Sequence, residues 1–213
     1  MKICVVDDSV AIRMGIPVML DSVQVVGSFS SVEALLAENP DADVVLLDLR
    51  LSTPTEGHRL QGDEAIRLVA TRGYPVCIYT DERRLLVLAQ CLQAGANGVV
   101  HKSDRPEALL DALTRVAAGD TVITQSLTGL AEVLERAGEI KELTERQRQV
   151  LTARARGEQW ASIGRRLHIT ESVAREHMAA VSAKFARHLQ VTTAADLERQ
   201  LGVGPGDLLE RPS

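Results

Sequence analysis

Apolar and polar positions in the first half of the chain follow two alternating patterns. Short strand-like runs occur at Ile3 to Val6, Val23 to Gly27, Val44 to Leu47, Val76 to Tyr79 and Gly98 to Val100. A continuous run such as VVLL suits a strand buried on both faces of a sheet. Between the runs, apolar positions recur at helical spacing. Ser30 to Ala37 opens with a Ser30–Glu33 capping box, and Gly62 to Thr71 carries Ile66, Leu68 and Val69. Five strands separated by helices predict an α/β fold, a doubly wound five-stranded parallel sheet over residues 1–118. Ligands of such sheets bind beyond the carboxyl ends of the strands.

The pattern then becomes purely helical. A turn at Gly119-Asp120 and an extended TVIT precede a Leu127, Leu130, Val133, Leu134 stripe, which predicts a helical linker over 119–140. Over 141–205, Thr144 and Gln147 form a capping box and Gly157 stops the helix they open. Gln159 and Trp160 open a short helix through Leu167, and Thr170 caps a third. On that third helix Ala174, Met178, Val181 and Phe185 make the buried stripe. Two short helices, a tight turn and a longer helix predict a small all-α helix-turn-helix domain, followed by a tail over 206–213.

Charge sharpens this division. The net charge of -5 is the sum of unlike halves: 12 Lys+Arg against 19 Asp+Glu up to Gly138, and 12 against 10 from Glu139 onward. Between Lys141 and Gln190 there are 10 basic and 5 acidic residues with three histidines, which fits either a polyanion partner or a solvated helix face. Cys4, Cys77 and Cys91 lie in apolar segments without metal-ligand spacing and read as reduced core residues. No apolar run approaches the roughly 18 residues of a membrane span. The opening MKICVVDDSV reaches two aspartates after few apolar residues, so the expected location is cytoplasmic, with no membrane partner.

The candidate chemistry sits at the strand ends. Asp7 and Asp8 follow the first run, Asp48 the third, Thr80 the fourth and Lys102 the fifth. Singly, each reads as a turn or cap residue. Together, three carboxylates, a hydroxyl and an ammonium at one sheet edge suit a small hard cation and a phosphoryl group. A cation and Lys102 would compensate the charge that Asp48 brings to the end of a buried strand.

The segments VVDDS, VVLLDLRL, CIYTDE and AGANGVVHKS resemble the receiver domain of two-component response regulators over roughly residues 2–118. The resemblance implies a flavodoxin-like receiver in which Asp48 accepts a phosphoryl group from a histidine kinase. It implies Mg2+ held by Asp8, Asp48 and the backbone carbonyl of Arg50, with Asp7 acting through water, and phosphoryl contacts from Thr80 and Lys102. Three positions depart from the family pattern. Gly62 comes about six residues late, lengthening the loop that carries His58 and Arg59; Asp81 and Glu82 follow Thr80 where a small residue is usual; and Val99 replaces the aromatic that swings inward on activation. These departures predict weak coupling, on the order of tenfold or less, between phosphorylation and output.

The stretch from Lys141 to Leu189 resembles the LuxR-type helix-turn-helix in LTERQ, Val150-Leu151, Gly157, IGRRL, ITES, the Arg175–His177 pair and KF. With the buried stripe inward, Glu171, Ser172, Arg175, Glu176 and Ala179 lie on the other side, where side chains can reach base edges, while His177 and Lys184 flank the stripe and could reach phosphates. The expected DNA-binding residues are Thr170, Ser172, Arg175, Glu176, His177 and Lys184. By the resemblance, Arg175 and Lys184 lead this set. Trp160 and Ala180 stand where the family usually has asparagine. Together the halves imply a NarL/LuxR-type response regulator, a transcription regulator and not an enzyme with outside turnover. Its implied partners are double-stranded DNA, a sensor histidine kinase and a second copy in a homodimer, with RNA polymerase a further candidate. Two alternatives stay open: a DNA-binding regulator whose receiver dimerises or senses a ligand without phosphorylation, and a receiver used as a phosphate sink or docking module.

Overall fold

The computed structural model describes residues 1–51, 60–141 and 143–201, in two compact units that divide between Val122 and Ile123. His58 and Arg59 lie outside the described residues. In the first unit β1 (Lys2–Val6), β2 (Gln24–Phe29), β3 (Val44–Leu47), β4 (Val76–Thr80) and β5 (Gly98–His101) pair in parallel in the order β2-β1-β3-β4-β5. The connecting helices are α1 (Val10–Met19), α2 (Val32–Glu38), α3 (Gly62–Thr71), α4 (Leu85–Gln93) and α5 (Pro106–Ala117).

The continuous apolar runs are explained by two buried faces. On one, Ile3, Val5, Val44, Leu46, Cys77, Tyr79 and Val100 pack with Ile16 of α1 and Leu109, Leu113 and Val116 of α5. Their chain neighbours Val6, Val45, Leu47, Ile78 and Val99 alternate to the other face and are also buried, as are Leu35, Ile66, Val69, Leu88 and Leu92 of α2, α3 and α4. Each such aliphatic side chain contributes about 1.5 to 3 kcal/mol when fully removed from water. Cys4, Cys77 and Cys91 are buried and free.

One local expectation is corrected. Ser31, not Ser30, caps α2, accepting from the Ala34 N–H at 3.3 Å. The reason is that β2 runs on to Phe29, which pairs with Val6, so the chain enters the helix one residue later. Glu33 is then in the first turn, and its Oε1 accepts from the Leu60 N–H at 2.7 Å instead of closing a capping box.

The second unit holds α6 (Gln125–Arg136), α7 (Glu145–Ala155), α8 (Trp160–Leu167), α9 (Glu171–Val191) and α10 (Ala194–Leu201). The helix expected within the linker is α6, which packs on α7 and α9. Thr144 and Gln147 form the expected capping box, and Gly157 ends α7 with φ +79°. The turn from α8 to α9 is tight. The Ile169 N–H donates to the Gly164 carbonyl at 3.0 Å, and a Cβ on Gly164 would meet the Ile169 oxygen at 2.8 Å, so only glycine fits there. Thr170 caps α9, and Ala174, Met178, Val181 and Phe185 form its buried stripe, extended by Leu189. Among the described residues no helix is long and apolar enough to cross a membrane.

Candidate functional site

Backbone bonds carry the sheet ladder one residue past the strands and so fix the polar residues at its carboxyl edge. The Asp7 N–H donates to the Phe29 carbonyl at 3.1 Å, the Asp48 N–H to Val6 at 2.8 Å and the Lys102 N–H to Thr80 at 2.9 Å. Asp7, Asp48 and Thr80 are buried. The Lys102 ammonium lies 2.8 Å from Asp7 Oδ2 and 3.0 Å from Asp48 Oδ2, bridging two carboxylates brought in by different strands. One carboxylate oxygen from each of Asp7, Asp8 and Asp48 lies within 4.8 Å of the others. Asp7, Asp8, Asp48 and Lys102 thus meet at the carboxyl edge of the sheet, and Thr80, at the end of β4, is bonded through its carbonyl to the Lys102 N–H.

Electrostatics follow from this burial. Desolvation pushes the Asp48 carboxyl above its ordinary value, opposed by the Lys102 ammonium and the Arg50 N–H. Burial pulls Lys102 down, but its hydrogen bonds to Asp7 and Asp48 outweigh this and hold the ammonium above its usual pKa. The charged form of Lys102 is thus favoured, and it is the main group opposing the desolvation of Asp48. Three hard oxygen donors converging beside one ammonium fit a divalent cation such as Mg2+.

Two surrounding groups brace the pocket. The Ser9 N–H donates to Asp7 Oδ1 at 2.8 Å, and Arg13 Nη1 donates to the Asp7 and Asp8 carbonyls at 2.6 and 3.0 Å. The Arg50 N–H reaches Asp48 Oδ1 at 3.3 Å, while its guanidinium meets Glu82 Oε2 at 2.6 Å. Glu82 is buried; it also accepts from the Arg84 guanidinium and from the Arg83 and Arg84 N–H groups, while its own N–H donates to Thr80 Oγ1 at 3.1 Å. The Arg84 hydrogen bonds, aided by Arg50, hold its carboxyl far below the usual range. The acidity after Thr80 is thereby neutralised at Glu82, and Asp81 is exposed. Val99 is buried at the position where an aromatic would swing.

On α9, Thr170, Ser172 and Glu176 are exposed, and Arg175, His177 and Lys184 are half-buried. Ser172 Oγ donates to Glu176 at 3.4 Å, and Lys184 Nζ donates to Gln147 Oε1 at 3.1 Å, the same oxygen that closes the α7 capping box. The Arg175 guanidinium lies over the Trp160 ring, 4.8 Å from its centroid, and that of Arg154 lies at 4.4 Å. Sequence reasoning noticed Trp160 as the opening of a short helix and as a departure from a pattern, not as a ring for stacking. The signal for the stack was a lone tryptophan within a segment rich in arginine.

The chain is similar to known proteins along most of its length. The response regulator receiver domain matches residues 3–114. The chain is 30% identical to the nitrate/nitrite response regulator protein NarL of Escherichia coli over 203 residues, covering 90% of this chain and 92% of NarL. It is 30% identical to the response regulator RamR of Streptomyces coelicolor over 199 residues, covering 89% and 92%. Among solved structures, the RcsB response regulator of Salmonella typhimurium matches with a TM-score of 0.54 at 23% identity, covering 95% of this chain and 98% of RcsB.

Proposed function

The chain belongs to the response regulators of the NarL/LuxR type, and from that premise we propose a transcription regulator switched by transfer of a phosphoryl group from a sensor histidine kinase to Asp48. The observation that carries this reading is the Lys102 bridge between Asp7 and Asp48, with Asp8 beside them. In the transfer, an Asp48 carboxylate oxygen forms a bond to phosphorus while the P–N bond to the kinase imidazole breaks. The imidazole nitrogen leaves with the electron pair. Phosphoryl transfer of this kind depends mainly on positioning and on neutralising charge. Lys102 already stands against Asp48 and supplies one positive charge. Thr80 Oγ1 is an acceptor here, from the Glu82 N–H, which leaves its hydroxyl proton to donate to a phosphoryl oxygen. Asp7, Asp8, Asp48 and the Arg50 carbonyl would hold Mg2+, which when bound offsets the charge of the phosphoryl oxygens. The protein modifies itself and has no turnover on an outside substrate.

The output reading places α9 of a homodimer in the major groove of double-stranded DNA, with Arg175 leading base contact and His177 and Lys184 at phosphates. Its support is the exposed, capped start of α9 behind a glycine-tight turn. Incubation with a small phosphodonor and MgCl2, followed by intact mass, tests the receiver. Wild type should gain one phosphoryl group, and neither Asp48→Asn nor wild type in chelator should. Labelling that persists in Asp48→Asn would refute the assignment.

A further inference from the structure

Two guanidinium groups share the Trp160 indole, and their remaining hydrogen-bonding capacity differs. Arg154, in the last turn of α7, is spent on the fold: Nη1 donates to the Glu158 carbonyl at 2.6 Å and Nη2 to Gln125 Oε1 at 3.3 Å, while its own carbonyl accepts from the Gln125 amide. Arg175, in the second turn of α9, makes no hydrogen bond or ion pair with any described residue. Its neighbour Glu176 accepts from Ser172. A guanidinium stacked on an aromatic ring uses its planar face and keeps its edge N–H groups, the fork that matches the O6 and N7 acceptors of guanine.

The pairing is also electrostatically specific. Burial and the nearby charge of Arg175 both lower the pKa of Arg154. Two like charges held over one ring repel each other, and the negative face of the indole offsets that repulsion. A polar asparagine, leucine or other side chain without such a face would leave Arg175 free to move away from Arg154. Arg154 is anchored at both ends of its guanidinium, so Arg175 is the group the stack restrains.

We propose that Trp160 is the positioning residue for base readout, holding Arg175 by its face so that its edge engages a guanine in the major groove of duplex DNA. The inference rests on the reading of α9 as the DNA-facing helix. A long arginine loses much rotamer freedom on binding, and restraint in advance reduces that cost. Trp160 therefore acts through Arg175, and its removal should affect sequence preference more than general affinity for DNA.

The test uses the full-length protein and a duplex that it selects from a randomised library, with guanine then replaced position by position. Arg175→Ala comes first. If it binds like wild type with unchanged base preference, the α9 reading fails, and the proposal with it. If it relaxes one guanine position, Trp160→Leu should relax the same position by about 3- to 30-fold, and Trp160→Phe, which keeps an aromatic face, by less. The double variant Trp160→Leu/Arg175→Ala should be no worse at that position than Arg175→Ala alone. Losses that add, or a Trp160→Leu protein that keeps full guanine preference, would show that Trp160 only fills space. Should Trp160→Leu fail to fold, emission from this sole tryptophan decides. It should change on adding the selected duplex to wild type and not on adding the duplex to Arg175→Ala; equal changes in both would overturn the proposal.

Discussion

Arg50 and Glu82 meet at 2.6 Å, joining the residue two after Asp48 to the residue two after Thr80. Arg50 is largely exposed, so most of the hold on Glu82 comes from Arg84 and the two backbone N–H groups. Glu82→Gln keeps the shape and removes the charge, and should cost about 1 to 3 kcal/mol at neutral pH. A carboxyl held low binds protons in the unfolded state first, so its stabilisation is full above the ordinary value of 4.5 and fades as pH falls below it. Urea unfolding of both proteins should show a gap that narrows only in acid. A gap that widens there would contradict the pairing.

Lys102 is the cation that two buried carboxylates share. Lys102→Ala should destabilise the receiver by about 3 kcal/mol, because it leaves buried charge uncompensated. A ligand that binds only the folded state restores stability by mass action. MgCl2 should therefore raise the melting temperature of Lys102→Ala more than that of wild type. Equal shifts would mean that Lys102 does not balance the carboxylates proposed to hold the metal.

Lys184 donates to Gln147, which caps α7, and this sets it apart from Arg175. Lys184→Ala should weaken binding to all duplex sequences alike and lower the salt slope by about 1. Titrations at several salt concentrations, on selected and scrambled duplexes, distinguish this from a base contact. Loss of preference at one base pair would place Lys184 at a base edge instead.

Burial raises all three thiols, Cys4 to about 11 and Cys77 and Cys91 to about 12, from an ordinary 9.0. The folded state keeps these protons longer than the unfolded chain does. Their contribution is therefore complete below 9.0 and is lost as pH rises toward 11 to 12. A thiol reagent at mildly alkaline pH should label none of the three until denaturant is added. Rapid labelling of native protein would show that the strands carrying Cys4 and Cys77 open readily.

The parallel sheet was legible because buried strands such as VVLL leave continuous apolar runs, and the pocket because its residues fall immediately after them. Helix starts were less so: Ser30 and Ser31 are chemically equal caps, and only the pairing of Phe29 with Val6 chooses between them. That the acidic side chains after Thr80 point away or pair with Arg50 was legible in the sequence, and Asp81 does the first and Glu82 the second. The larger part that Arg84 plays depends on side-chain directions across a loop, which spacing does not encode. Asp81 and Glu82 look alike in sequence, yet one is exposed and the other buried among arginines. The Trp160 stack joins residues from three helices: a lone tryptophan among arginines signals a stack, but no local pattern says which arginines meet the ring.

The placement of β1 inside the sheet has a consequence for how the chain is made. Lys102 lies 95 residues beyond Asp7 and is therefore synthesised well after it. At about 5 to 20 residues per second, that interval is about 5 to 20 s. Until Lys102 is added, Asp7 and Asp48 lack the ammonium that bridges them in the finished fold. A nascent receiver is therefore an acidic pocket awaiting its last strand, and only a chain translated past β5 can present Asp48 with its partner charge.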